Sequence, residues 1–139
     1  GDYTVPLHKA AVRRKGSDVT ILAWLLMLHH ALQAAETLAA SGVDVEVVDV
    51  RSLSPIDLQT IGESVQKTGR VVIVEEGPKT GGVGAELSAS ISERFSRALK
   101  APIVRVASPD VPVPFAPVLE NAYRPSPERI VEGVHQVLS

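Results

Sequence analysis

The chain has 139 residues, room for one domain with a real core, and its 45% apolar content with a net charge of −2 describes a compact fold rather than a disordered one. The charge balance argues against nucleic acid as a partner, because no Lys/Arg stripe with interleaved aromatics is present. No run reaches the roughly 18 apolar residues of a membrane span, nothing resembles a signal peptide, and the absence of cysteine rules out disulfide and thiol chemistry. A cytoplasmic protein is the expectation.

In chain order, residues 1–9 form an N-terminal arm, and Ala10 to Arg14 a short strand closed by Lys15-Gly16-Ser17-Asp18. Val19 to Trp24 is the β-branched and apolar run of a central parallel strand covered on both faces. From Met27 the apolar positions Ala31, Leu32, Ala34, Ala35 and Leu38 follow a helical stripe that stops at Ser41-Gly42. Val43 to Val50 predicts a second parallel strand. Ser54-Pro55-Ile56-Asp57 predicts a helix start with Ser54 as cap and Pro55 at the first helical position, running to Thr68-Gly69. Arg70 to Val74 is the next buried strand and carries Glu75-Glu76 at its carboxyl end. The loop Gly77 to Gly82 precedes a helix with the stripe Val83, Leu87, Ile91 and Phe95. Ile103 to Ala107 reads as the last strand, residues 109–117 as a proline-rich crossing, and Ser126-Pro127-Glu128 as the cap of a terminal helix. Strand and helix in this alternation predict a single α/β domain over 1–139, a three-layer α/β/α sandwich.

One junction breaks the local rules. Leu25-Leu26-Met27-Leu28-His29-His30 joins strand to helix with no glycine, no acidic residue and no Ser or Thr to satisfy the first helical N–H groups. Burial of the leucines in the core is one reading; a contact surface is the other, since such a group exposed beside His8 would be unusual on a monomer. His29 and His30 are adjacent and point about 100° apart on a helix, which disfavours a zinc site. A histidine at an interface would instead make binding change with pH between about 5 and 8. Glu75-Glu76 at a strand end has the location of an acid/base pair, but no nucleophile or histidine lies nearby in sequence, which favours a structural or inter-subunit role. Thr80-Gly81-Gly82-Val83-Gly84 is neither a Walker loop nor a Rossmann fingerprint; it reads either as an anion cradle at a helix N-terminus or as a tight loop for close packing on another subunit.

Several fragments carry a resemblance. Asp49-Val-Arg-Ser-Leu-Ser-Pro-Ile-Asp57, Lys67-Thr-Gly-Arg70, Glu75-Glu76, Thr80-Gly-Gly-Val-Gly-Ala-Glu86, Pro109-Asp-Val-Pro-Val-Pro114, the opening Tyr3-Thr-Val-Pro-Leu7 and the closing Asn121-Ala-Tyr123 are similar, in order and spacing, to the carboxy-terminal domain of E1 β subunits of thiamine-diphosphate-dependent 2-oxo acid dehydrogenases, of pyruvate and branched-chain type. The resemblance implies the transketolase carboxy-terminal fold, a mostly parallel five-stranded sheet with one antiparallel strand, used for subunit association. It implies that thiamine diphosphate and its Mg are held by the α subunit and the amino-terminal half of β, so this domain by itself holds no cofactor or metal and has no catalytic residue. Implied partners are E1 β, E1 α and E2 subunits, with Thr80, Gly81, Gly82, Val83, Gly84 and Glu86 as the subunit-contact loop and a homodimer as one arrangement. Two positions depart from the family pattern: Leu25 and His8 stand where members usually carry glycine. Large residues at former glycines, in a chain opening at Gly1, point to a non-catalytic binding module, an engineered scaffold with a designed target and an apolar and histidine interface of His8, Leu25, Leu26, Met27, Leu28, His29 and His30. The alternative is a natural fragment of an E1 β subunit whose intact complex decarboxylates pyruvate or branched-chain 2-oxo acids.

Overall fold

A computed structural model describes residues 1–139. The elements are β1 (Ala11–Arg14), β2 (Val19–Ala23), α1 (Leu26–Ala40), β3 (Val45–Asp49), α2 (Leu58–Thr68), β4 (Val71–Pro78), α3 (Val83–Phe95), a 3-10 turn at Ser96–Ala98, β5 (Val104–Ser108), α4 (Pro117–Tyr123) and α5 (Pro127–Leu138). The sheet order is β1-β3-β2-β4-β5. All neighbours are parallel except β1 on β3, so the expected five-stranded sheet with one antiparallel strand is the observed one. No helix is long and apolar enough to cross a membrane.

The strand period of two divides the core between the faces. On one face Val19, Ile21 and Ala23 of β2, with Val45, Val47, Val72 and Val74, lie under the α1 residues Met27, Ala31, Ala35 and Leu38 and the α5 residues Ile130, Val134 and Val137. On the other, Leu22, Val48, Val71 and Ile73 lie under Ile61 and Val65 of α2 and Leu87 and Ile91 of α3. Every residue of β2 is buried, as a strand covered on both faces requires. Thr20 is the polar exception on the second face. Its hydroxyl pairs with Thr68 Oγ1 at 2.8 Å, and it reaches the carbonyl of Ser64 at 3.2 Å, so the buried polar group is satisfied by α2 itself.

Helix α2 begins later than its sequence implies. Ser54-Pro55 stays in the preceding loop, and the N-cap is Asp57, whose carboxylate accepts from the Thr60 N–H at 3.2 Å and the Thr60 hydroxyl at 2.7 Å. The same carboxylate accepts from the backbone N–H of Ala10 at 3.1 Å and lies 3.7 Å from Lys9 Nζ. Four partners at one carboxylate outweigh a lone serine hydroxyl as the reason for where the helix starts. The crossing also holds more structure than expected: from Pro117 it forms the short α4, anchored by the buried Tyr123. Ser126 caps α5 as its sequence implies, accepting from Arg129 N–H at 3.3 Å.

Leu25 occupies the N-cap position of α1 at φ 53°, ψ −133°, with no side-chain cap, and its own side chain is 75% exposed. This is backbone a glycine adopts freely and a leucine adopts under strain, worth about 1–3 kcal/mol. Little packing is lost if the side chain goes. Leu25→Gly is therefore expected to raise stability by about 1 kcal/mol, strain relief exceeding the extra entropy of a glycine in the unfolded chain. Leu25→Ala keeps a Cβ and gains nothing comparable. Urea unfolding at equal, low protein concentration, followed by the fluorescence of neighbouring Trp24, checks both.

A second expectation concerns acid. Burial pushes the Asp57 carboxyl up, but the Thr60 hydroxyl and N–H, the Ala10 N–H and Lys9 together hold it below the ordinary aspartate value. A carboxylate lowered by folding contributes stability above its unfolded pKa, and that contribution disappears as pH falls through the folded value. Asp57→Asn is expected to cost about 2 kcal/mol at neutral pH. The gap to wild type closes below about pH 4. Parallel denaturation curves for the two chains from pH 7 to 3 decide it; a gap independent of pH would remove the charge from the account.

Candidate functional site

The parallel strands end together at one edge of the sheet, Ala23 beside Asp49 and Val74, and Pro78 beside Ser108. Open α/β sheets place their sites along such an edge. The residues singled out from the sequence do come to this edge, but they divide among different tasks.

Over the ends of β2 and β3 lies a cleft of about 770 Å³ lined by Val5, Trp24, Leu25, Leu26, Leu28 and Leu53, with His29, Asp49 and Arg51 as its polar members. Three non-glycine residues have positive φ, and all lie here: Leu25 and Arg51 line the cleft, at 53° and 57°, and His8, at 58°, lies within 3.4 Å of Ser52 next to Arg51. Arg51 Nε approaches Asp49 Oδ2 at 3.3 Å, which holds the guanidinium on the rim. Leu25 and His8 thus adopt the backbone for which a glycine is the natural choice.

The expected surface of His8, Leu25 to Leu28, His29 and His30 is not one patch. Met27 is fully buried and Leu28 is 8% exposed; both pack in the α1/α5 core, so they are corrected from surface to core residues, because the first turn of α1 directs this face onto the sheet. Leu26 is half-buried. His30 turns away, and its Nδ1 donates to the carbonyl of Pro125 at 2.9 Å, tying α1 to the segment before α5. His8, Leu25 and His29 remain exposed. No three His, Asp or Glu side chains converge as metal ligands.

The Thr80 to Glu86 loop follows β4. Glu75, at 3% exposure, directs both carboxylate oxygens at the N–H of Gly84, each at 3.1 Å, and so fills the positive end of α3. Burial pushes this carboxyl up, opposed by the N–H groups of Gly84 and Val83 and by the charge of Arg105. The acid/base reading of Glu75 loses its basis here, and so does the anion cradle, since an anion from the chain itself occupies it. A Cβ at Gly84 would stand 2.4 Å from Glu75 Oε1, and one at Gly82 2.4 Å from the carbonyl oxygen of Pro78. The glycines are therefore required within the domain, and Gly84 is buried beneath the loop rather than presented by it. Glu76 lies 4.0 Å from Arg124, which also approaches Glu120 at 3.8 Å. Thr80 is held by Asp110, which accepts from its N–H at 3.0 Å and its hydroxyl at 2.6 Å. These bonds keep the Asp110 carboxyl below the ordinary range. Thr80, Gly81 and Glu86 stay exposed.

Sequence reasoning missed the stretch beyond β5. Val111, Val113, Phe115, Val118 and Leu119 project into solvent, Phe115 completely. Its signal was present, apolar residues alternating with Pro112, Pro114 and Pro117, but it read only as a surface crossing.

Comparison with known proteins follows the same lines. A family model described as the transketolase C-terminal domain matches residues 8–130. The chloroplastic pyruvate dehydrogenase E1 component subunit beta-2 of Arabidopsis thaliana is 48% identical over 136 residues, covering 98% of this chain and 34% of that protein. The acetoin:2,6-dichlorophenolindophenol oxidoreductase subunit beta of Cupriavidus necator is 42% identical, covering 99% of this chain and 41% of its own length. The chain thus spans a third to two-fifths of the length of such relatives. Among solved structures, a split-gene transketolase described as an inactive β4 tetramer superposes with a TM-score of 0.85 at 35% identity, over 99% of this chain and 43% of that one. A Pichia stipitis transketolase, at 15% identity and a TM-score of 0.61 over 94% of this chain and 18% of its own, shares the fold alone. With its sheet order, its glycine loop and a match over nearly all of its length, the chain belongs to the transketolase C-terminal domain family.

Proposed function

We propose that the chain is the assembly domain of an E1 β-type subunit, natural in origin, that holds subunits of a thiamine-diphosphate-dependent dehydrogenase together and performs no chemistry by itself. The observation that carries this reading is the use to which the sheet edge is put. Its buried carboxylate, Glu75, is committed to the N-terminus of α3, and Asp110 to Thr80, while Leu25 and Phe115 are held out in solvent. An edge whose acids serve the fold and whose apolar groups are free is suited to a protein partner.

The relatives support the partner class. Two are named as subunits of larger enzymes, and the split-gene transketolase is described as a β4 tetramer. In this reading the partners are further β subunits first, then E1 α and E2, and thiamine diphosphate with Mg binds to parts of the enzyme outside these residues. The reaction of the whole enzyme is oxidative decarboxylation of a 2-oxo acid such as pyruvate, in the cytoplasm. The engineered-scaffold reading loses ground because Met27 and Leu28, central to a designed surface, serve the core.

Two measurements test the proposal on the chain itself. Calorimetric titration with thiamine diphosphate and Mg²⁺ is expected to give no heat of binding, and a dissociation constant below about 100 μM, some 5.5 kcal/mol of binding, would sink the non-catalytic reading. Light scattering coupled to size-exclusion chromatography is expected to show a mass at least twice the 14.8 kDa of one chain. A single-chain mass at every concentration would sink the assembly reading.

A further inference from the structure

We propose that the polar cleft between β1 and α2 is a binding site for one small monovalent cation, sodium or potassium, held by Glu46 and Glu63. The site is independent of the assembly reading, because it lies on the α2 face of the sheet. Glu46 stands three residues before the Asp49 end of β3, about 10 Å by strand rise from the edge where the parallel strands end.

Strand β3 makes this place polar against its own pattern. Val45, Val47 and Val48 are fully buried, and Glu46 among them is only 1% exposed. A carboxylate so far from water needs each oxygen answered. Oε2 is answered twice, by an ion pair with Lys67 and by the backbone N–H of Gly16 at 3.4 Å. No donor of the chain reaches Oε1, although it too is shielded from solvent. Glu46 lines a cleft of about 190 Å³ together with Val12, Thr60, Glu63, Ser64 and Lys67.

The rest of the lining says what can enter. Thr60, Glu63, Ser64 and Lys67 are spaced three and four apart and share one face of α2, a polar stripe beside β1 and β3 where an apolar one would be the ordinary choice. Thr60 donates its hydroxyl proton to Asp57 Oδ2, at 2.7 Å, and so offers the cleft only lone pairs. Glu46 and Glu63 are acceptors, and Lys67 already serves Oε2. Ser64 adds a hydroxyl that turns either way. A lining made mostly of acceptors rejects anions and suits a hard cation.

Charge and size narrow the choice. Two carboxylates against one ammonium leave a single negative charge, which one monovalent ion balances. A divalent ion would be repelled twice as strongly by the Lys67 ammonium and would find no second surplus carboxylate. The cleft has room for the ion and some of its waters, each of which takes about 30 Å³ in the liquid. An ion between Glu46 and Glu63 joins β3 to α2, so its binding stabilises the domain.

Thermal unfolding at a fixed ionic strength of about 0.15 M tests this, with tetramethylammonium chloride exchanged stepwise for sodium or potassium chloride so that screening stays constant. The small cations are expected to raise the midpoint as ln(1 + [cation]/Kd) requires. The sodium-23 resonance is expected to broaden in the presence of the chain and to sharpen again as potassium displaces the ion. Glu63 is exposed, so Glu63→Gln keeps the fold, which circular dichroism verifies, and it is expected to weaken the cation about fivefold, the scale of one exposed charge. Glu46→Gln is expected to abolish the broadening. Equal midpoints in all three salts, with no broadening, overturn the proposal and leave water as the partner of Oε1. A small-cation effect that persists undiminished in Glu63→Gln overturns the placement, because the ion then binds elsewhere on the chain.

Discussion

Parallel strands joined by helices must return to the same side of the sheet before each new strand, and this one topological requirement arranges everything else in the molecule. It buries β2 and β4 between two helical layers, and the buried polar groups they carry are answered by those helices, Thr20 by α2 and Glu75 by the N-terminus of α3. It also sends every strand-to-helix loop to one edge, so the arm, the Leu25 turn, the loop ending at Asp57, the glycine loop and the proline-rich crossing are neighbours although they lie up to a hundred residues apart in the chain. The helices on the two faces exhaust the apolar stripes made for them. Whatever is apolar at the edge has no such partner within the domain.

The edge is nonetheless rigid where it matters. Glu75 and Asp57 do the same thing at two helix starts, placing a carboxylate where unpaired N–H groups converge. In the first case the carboxylate reaches across from the end of β4 to α3, and the glycines at 82 and 84 give it room. In the second the acid is local to α2 but also reaches β1 through Ala10. Anion-binding geometry thus appears twice in this fold as an internal fastening, which is why a glycine-rich loop at a helix N-terminus here serves packing rather than phosphate.

Much of this was legible from residue order, and the parts that were not have definite physical causes. The strands at 19–23, 45–49 and 104–108 and the helix at 83–95 are continuous in their apolar period and were found within a residue or two. The strained turn was recognisable because leucine stood at a junction with no capping group, and Leu25 and His8 both adopt a positive φ. The start of α2 was misplaced because Ser-Pro is a strong local signal, whereas the Asp57 network depends on Ala10, 47 residues away. Met27 and Leu28 were grouped with Leu25 because adjacency in sequence says nothing about which way a first helical turn faces. The exposed stretch from Val111 to Leu119 escaped notice because apolar residues between prolines have no period; only the exposure of Phe115 sets it apart from an ordinary crossing.

The Asp57 fastening has a mechanical side. Ala10 is the last residue before β1, so any tension on the polypeptide at its amino end reaches the Ala10 to Asp57 hydrogen bond before it reaches the strand. Asp57 passes that load to the first turn of α2, which lies on the sheet, instead of letting it peel β1, a four-residue edge strand, from β3. A short antiparallel strand would otherwise be the weakest seam of the domain. The carboxylate thereby fastens the residue that leads into β1 to the first turn of α2, so the short edge strand is held at its leading end as well as along its ladder.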